Sequence, residues 1–317
     1  MIKINNNNSC YEKQMIYPGK MMAYSWVCIH NSIYPIIVEA NELVKSCVVY
    51  NGICIGLEQL LLNMGYDSIG ERIPIIAFGA NRNVENLIWK MKKYGASDQA
   101  IISFPAYIEN AESVVSSIFY SGHFYSDIIF NTCFSQNTIL EASLLLLSKE
   151  QIYALNKSEN VPKENSDNHW GAKIASISAI VPILGYQRIK ALIYVSETII
   201  LNHPENGKPV AFRDVFAFNR NISEYSQEQL YEVFLIKGEG FSQKQVDNIL
   251  SDLFALWFNN DMNKMETYDY ICKILKNYAW KDDNGKYING EYLAQKDNLL
   301  LLPETWWEIP DEYVLSI

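Results

Sequence analysis

Apolar and polar positions divide the chain into a strand-rich first part and a helix-rich last part. "MMAYSWVCIHNSIYPIIVEA", residues 21–40, holds two β-rich runs around a turn-like His-Asn-Ser and predicts a hairpin. "IGLEQLLLNMG" sets Leu57, Leu60, Leu61 and Met64 at helical spacing, with Gly65 as the stop. Residues 73–78 are a short apolar run ending at Gly79, the pattern of a buried strand. The helix that follows is capped by Asn83 and shows Val84, Leu87, Ile88 and Met91 on one face, with Lys92 and Lys93 near its negative end. "SVVSSIFYSGHF" and "TILEASLLLL" read as further strands, and "SKEQIYALNKSEN" as a helix opened by a capping box from Ser148 to Gln151. Residues 157–170 are polar and read as a surface loop. "IASISAIVPIL" and "KALIYVSETIIL" are again β-like, the second joined through "NHPENGKP" to "VAF" as a predicted hairpin. After residue 222 the capping-box spacing recurs at Ser226 to Gln229 and Ser242 to Gln245, so residues 226–280 are expected to be mostly helix. The aromatic stripe Phe254, Trp257 and Phe258 reads as core.

Composition narrows the classes. An apolar content of 49% over 317 residues supports a sizeable core and excludes wholesale disorder. A formal net charge of −10, with no basic run longer than Lys90, Lys92 and Lys93, argues against nucleic-acid and anionic-membrane partners. The six cysteines stand singly, without a Cys-x-x-Cys pair, which favours free thiols and a cytoplasmic protein. Residues 1–19 read as a flexible polar tail without a signal peptide, and no apolar run is long enough to span a membrane.

Chemistry concentrates at Gly79-Ala80-Asn81-Arg82. A strand that hands over to a helix through glycine presents unpaired backbone N–H groups, and the helix dipole favours negative charge there. Such a turn suits a carboxylate, a phosphate or a developing oxyanion. Arg82 would add a fixed positive charge, and Asn81 could hydrogen-bond a ligand. An ordinary strand–helix connection is the plain alternative. His123, in "YSGHFYS", is a second acid–base or substrate-contact candidate. Asp167 and His169 could ligate a metal but are too few for a site. No Gly-x-Ser-x-Gly is present.

"AFGANRNVENL" resembles the Tyr-Gly-Ser-Asn-Leu loop and following helix of γ-glutamylcyclotransferase-like proteins. The opening stretch is also similar to uncharacterised bacterial proteins with a Val-Pro-Val-Leu-Ala-Tyr-Gly-Ala-Asn pattern. Downstream, "LEASLLLLSKEQIYALNKSEN" resembles the family's strand, helix and Leu-Asp-x-x-Glu-Gly segment, which places the family's catalytic glutamate on Glu159. The resemblance covers residues 73–220. It implies substrate binding by Phe78, Gly79, Ala80, Asn81 and Arg82, acid–base catalysis by Glu159, and no metal or other cofactor; His123 joins the substrate-binding candidates on its residue type and not through the resemblance. Departures are Phe78 for tyrosine, Ala80 for serine, Arg82 for leucine, Asn156 for aspartate and Asn160 for glycine.

The expectation is an α+β fold: a small mixed or antiparallel β-barrel flanked by helices over residues 20–222, with a mainly helical region over 223–317. The expected activity is intramolecular cleavage of a γ-glutamyl amine, amide or peptide, releasing 5-oxoproline. The alternatives are a non-catalytic binding protein on the same fold, or an amide-bond enzyme with a different substrate. A small-molecule or peptide substrate is the expected partner.

Overall fold

The computed structural model of the chain describes residues 2–3, 19, 21–40, 42–161 and 171–302. Strands β1 (Trp26–Ile29) and β2 (Ser32–Ile37) form the expected hairpin, turned by His30 and Asn31 at φ 47° and 61°. Strands β3 (Cys47–Tyr50) and β4 (Ile53–Gly56) form another, which the apolar pattern alone does not reveal. Its signal is Asn51-Gly52, both left-handed at φ 49° and 83°, as a tight hairpin turn requires.

Five strands close into a barrel: β5 (Ile73–Ala77), β6 (Ile101–Glu109), β9 (Ile139–Leu147), β10 (Ala172–Val181) and β11 (Gln187–Ser196). The circuit runs β9-β5-β11-β10-β6 and back to β9. The β5–β11 contact is parallel and the other four are antiparallel, so the barrel is mixed and the fold α+β. Strand β6 is unmarked in the sequence reading because Pro105 sits within it, where a central strand rarely tolerates proline. Strands β7 (Ala111–Ile118) and β8 (Phe124–Phe130) form a second sheet with Ala211–Phe212 and Glu224–Tyr225.

Every residue of β5 is buried, because alternate side chains have different apolar neighbours. Ile76 belongs to the main core, whereas Ile73, Ile75 and Ala77 pack with Val84, Leu87 and Met91 of helix α2 (Val84–Lys93) and Ile152 and Leu155 of helix α3 (Lys149–Ser158). Helix α1 (Leu57–Asn63) follows β4.

One turn differs from expectation. The long hairpin is β10–β11, paired over ten residues, whereas "NHPENGKP" closes only a loop with a single bridge from Asn202 to Pro209. Strand β11 turns inward to β5 and β10 instead, where its apolar residues are buried.

The later helices are α4 (Gln227–Tyr231), α5 (Gln243–Phe258), α6 (Met265–Leu275) and α7 (Gly290–Lys296), giving seven α-helices among the described residues. Capping boxes at Ser226 and Ser242 open α4 and α5, as their spacing predicts. This part is laced into the sheets. Trp280 donates to the Ile200 carbonyl (2.8 Å), Leu302 donates to that of Ile174 (2.9 Å), and Ser176 donates to that of Leu300 (3.0 Å). Arg220 holds Glu112 with two hydrogen bonds of 3.0 Å, and the Glu112 side chain has no exposure.

Asp127 anchors α7. Its buried carboxylate accepts from the backbone N–H groups of Ile128 (2.8 Å), Ser196 (3.0 Å) and Gly290 (2.9 Å). Burial pushes its pKa up to about 7, against the pull of those three amides. A Cβ on Gly290 would lie 2.5 Å from one Asp127 oxygen and 2.9 Å from Cγ, and that side chain cannot swing away without losing its donors. Gly290→Ala is therefore expected to lose about 1–3 kcal/mol in urea unfolding, the usual range for overpacking. An unchanged midpoint would contradict this close approach.

Candidate functional site

Strand geometry explains why two segments 78 residues apart meet. Strand β9 runs antiparallel to β5, with Leu147 opposite Ile73 and Ser143 opposite Ala77. The capping box at Ser148 then turns the chain into α3. Ten helical residues at about 1.5 Å each retrace roughly the span of the strand residues just passed. The end of α3 thus returns level with the turn after Ala77.

That helix end is sharply built. Val161 donates to the Asn156 carbonyl (2.9 Å) and Asn160 to that of Lys157 (3.3 Å), the pairing of a Schellman motif with Glu159 as its C-cap. Asn160 has φ 53°, a left-handed position that asparagine tolerates, so the turn forms without a glycine there. Asn156 is buried and accepts from the Tyr194 hydroxyl.

Two donors, with a third polar group nearby, converge on one oxygen of Glu159. Asn81 Nδ2 lies 3.0 Å from Oε1, Lys90 Nζ forms an ion pair with it, and Ser158 Oγ is 3.5 Å away. Lys90 also donates to Asn81 Oδ1 at 2.7 Å, closing a triangle. The side chains of Lys90 and Glu159 are only 11% and 13% exposed, so the pair is shielded yet reachable. No described residue donates to Oε2. Burial, then the Glu159 charge, push the phenols of Tyr94 and Tyr194 up.

The turn itself is a 3₁₀ segment, Ala80–Arg82. Its first N–H groups lack intrahelical partners, like those opening any helical turn. Gly79 has φ −110°, outside the left-handed region. Asn83 caps α2 by accepting from Asn86 N at 2.9 Å.

Other predicted residues are placed differently. Arg82 is buried, with its guanidinium 2.6 Å from Glu141 Oε1, 3.1 Å from the Glu141 carbonyl and 3.3 Å from Ser143 Oγ. The positive charge expected at Arg82 is thus paired with Glu141 on β9. Phe78 packs into the main core. His123 lies in the turn between β7 and β8, with Nδ1 2.6 Å from Ser121 Oγ. Burial, with the Lys90 ammonium nearby, pushes its imidazole down to about 4, so it is neutral at pH 7. Asp167 and His169 lie outside the described residues.

Lys90 is the residue that sequence reading misses. Its signal is position: three residues after Leu87, it lies on the apolar face of α2, where a lysine needs a buried partner.

An aromatic group lies beside His123. Phe119 is 5.6 Å from its ring and 5.0 Å from Trp257 of α5, and Trp257 is 6.5 Å from Trp89 of α2. Trp257, read as core, instead bridges the C-terminal helices to the helix that carries Lys90.

No family model matches the chain, and no curated protein matches it. Among solved structures, a crystal structure of an uncharacterised protein from Homo sapiens is similar over 57% of this chain and 99% of that chain, at 10% identity and a TM-score of 0.32. Among the described residues, no group of three or more His, Cys, Asp or Glu side chains could hold a metal ion, and no helix is long and apolar enough to cross a membrane.

Proposed function

We propose that the protein is a cytoplasmic γ-glutamylcyclotransferase-like enzyme that cleaves a γ-glutamyl amine, amide or peptide. The observation that carries this reading is Glu159, with Oε1 held by Asn81 and Lys90 and Oε2 without a donor among the described residues. A carboxylate so held presents one basic oxygen in a set direction.

In the reaction, the substrate's α-amine attacks its own γ-carbonyl carbon. Glu159 takes a proton from the attacking nitrogen and returns it to the departing one, so the C–N bond breaks as 5-oxoproline forms. Amine and carbonyl belong to one molecule, so binding in the cyclic conformation supplies the effective concentration. The leading N–H groups of the Ala80–Arg82 turn suit the carbonyl oxygen as negative charge develops. Lys90 positions Glu159. Neutral His123 could accept a hydrogen bond from the substrate but carries no charge to attract a carboxylate.

The same ion pair favours a second reading, a binding protein without turnover, because Lys90 already engages the carboxylate and Phe78 and Ala80 carry no hydroxyl. A panel of γ-glutamyl amines, amides and peptides, assayed for 5-oxoproline by mass spectrometry, separates the two. Release of 5-oxoproline supports the enzyme. Ligands that raise the melting temperature without any product support the binding protein.

A further inference from the structure

Hairpin β3–β4 carries two cysteines with no part in the site above. Its register pairs Val49 with Cys54 and Cys47 with Gly56, which puts Cys47 and Cys54 on one face as diagonal neighbours. Their sulfurs are 3.1 Å apart, with the Cys54 thiol donating to Cys47. Cys54 is exposed and Cys47 half-buried, and β4 is the terminal strand of its sheet. Solvent therefore reaches the pair.

The buried cysteines are unlike it. Burial pushes Cys28 up to about 12 and Cys272 up to about 11, which keeps both as unreactive thiols. At Cys47 the main influence is the hydrogen bond with Cys54, which raises its pKa.

We propose that Cys47 and Cys54 form a thiol–disulfide exchange site, closing reversibly into an intrachain disulfide with low-molecular-weight disulfides. The Cys54 thiolate attacks one sulfur of the small disulfide, forming a mixed disulfide and expelling one thiolate. The Cys47 thiolate then attacks the Cys54 sulfur and expels the second. The protein loses two protons and two electrons, and the small disulfide leaves as two thiols. Bond formation asks the sulfurs to approach by about 1 Å, a shift that an edge hairpin can absorb. A disulfide at an exposed sheet edge is of the readily reduced kind.

The test uses the full chain and oxidised glutathione, with remaining thiols blocked before intact-mass and peptide analysis. The expected product is lighter by two hydrogens, has two fewer titratable thiols, contains a 47–54 cross-link and reverts with dithiothreitol. Cys47→Ser should instead retain glutathione on Cys54, and Cys54→Ser should give no intrachain link. Circular dichroism of the exposed-edge variants confirms that each is folded. A glutathione adduct that persists on Cys54 in the unmodified chain, a link to another cysteine, or no reaction at either residue would overturn the proposal.

Discussion

Glu159→Gln should lower 5-oxoproline release by about 10²- to 10⁴-fold, the usual worth of a positioned general acid–base. Glutamine keeps an oxygen to accept from Asn81 and Lys90 but has no basic site for the proton of the attacking amine. The variant should therefore still bind substrate, and the loss should appear in kcat with little change in KM. Lys90 is left facing a neutral amide, which makes unfolding the competing explanation. A thermal melt run beside the kinetics distinguishes them. A folded variant with unchanged kcat would remove Glu159 from the chemistry.

Arg220→Met has the largest expected effect on stability. Glu112 has no exposed side-chain surface, and Arg220 is the cation that offsets its burial. Burial raises the Glu112 pKa, and both its hydrogen bonds to Arg220 and the arginine's charge lower it. Without the arginine, the folded protein must bury a bare carboxylate or keep it protonated, at a cost of about 3–5 kcal/mol. The pH dependence follows in sign. A raised folded pKa means that the folded state holds a proton the unfolded chain has lost above about pH 4, so stability falls as pH rises. Urea titrations should show a larger deficit for Arg220→Met at pH 8 than at pH 5. Adding Glu112→Gln should recover most of the loss, and a double variant no more stable than the single one would refute the buried-charge account.

The parts of this structure that local chemistry encodes can be read from the chain. Capping boxes at Ser148, Ser226 and Ser242 mark three helix starts, and Asn83 marks a fourth. Residues fixed by register are harder to read. Glu141 opposes Arg82 only because β9 pairs with β5, and nothing near either residue announces the pairing. Asn81 and Glu159 stand out through the resemblance to γ-glutamylcyclotransferase-like proteins, whereas Lys90 is hidden among neighbouring lysines that read as solvated. Strand β6 is hidden by Pro105. The Cys47–Cys54 approach is invisible to spacing rules that look for Cys-x-x-Cys, because a hairpin turn, rather than a helix start, brings the sulfurs together.

The segment at Leu300–Leu302 bears on how the chain matures. Strand β10 meets β6 only at Ile180 opposite Tyr107, and Leu300–Leu302 bonds to its other half at Ile174 and Ser176. During synthesis, β5 through β11 leave the ribosome well before those residues do. Until they arrive, a stretch of β10 has backbone groups available to any other strand, the condition that promotes mispairing in nascent chains. Among the described residues, the last sheet contact to be translated is thus the one that shields this edge.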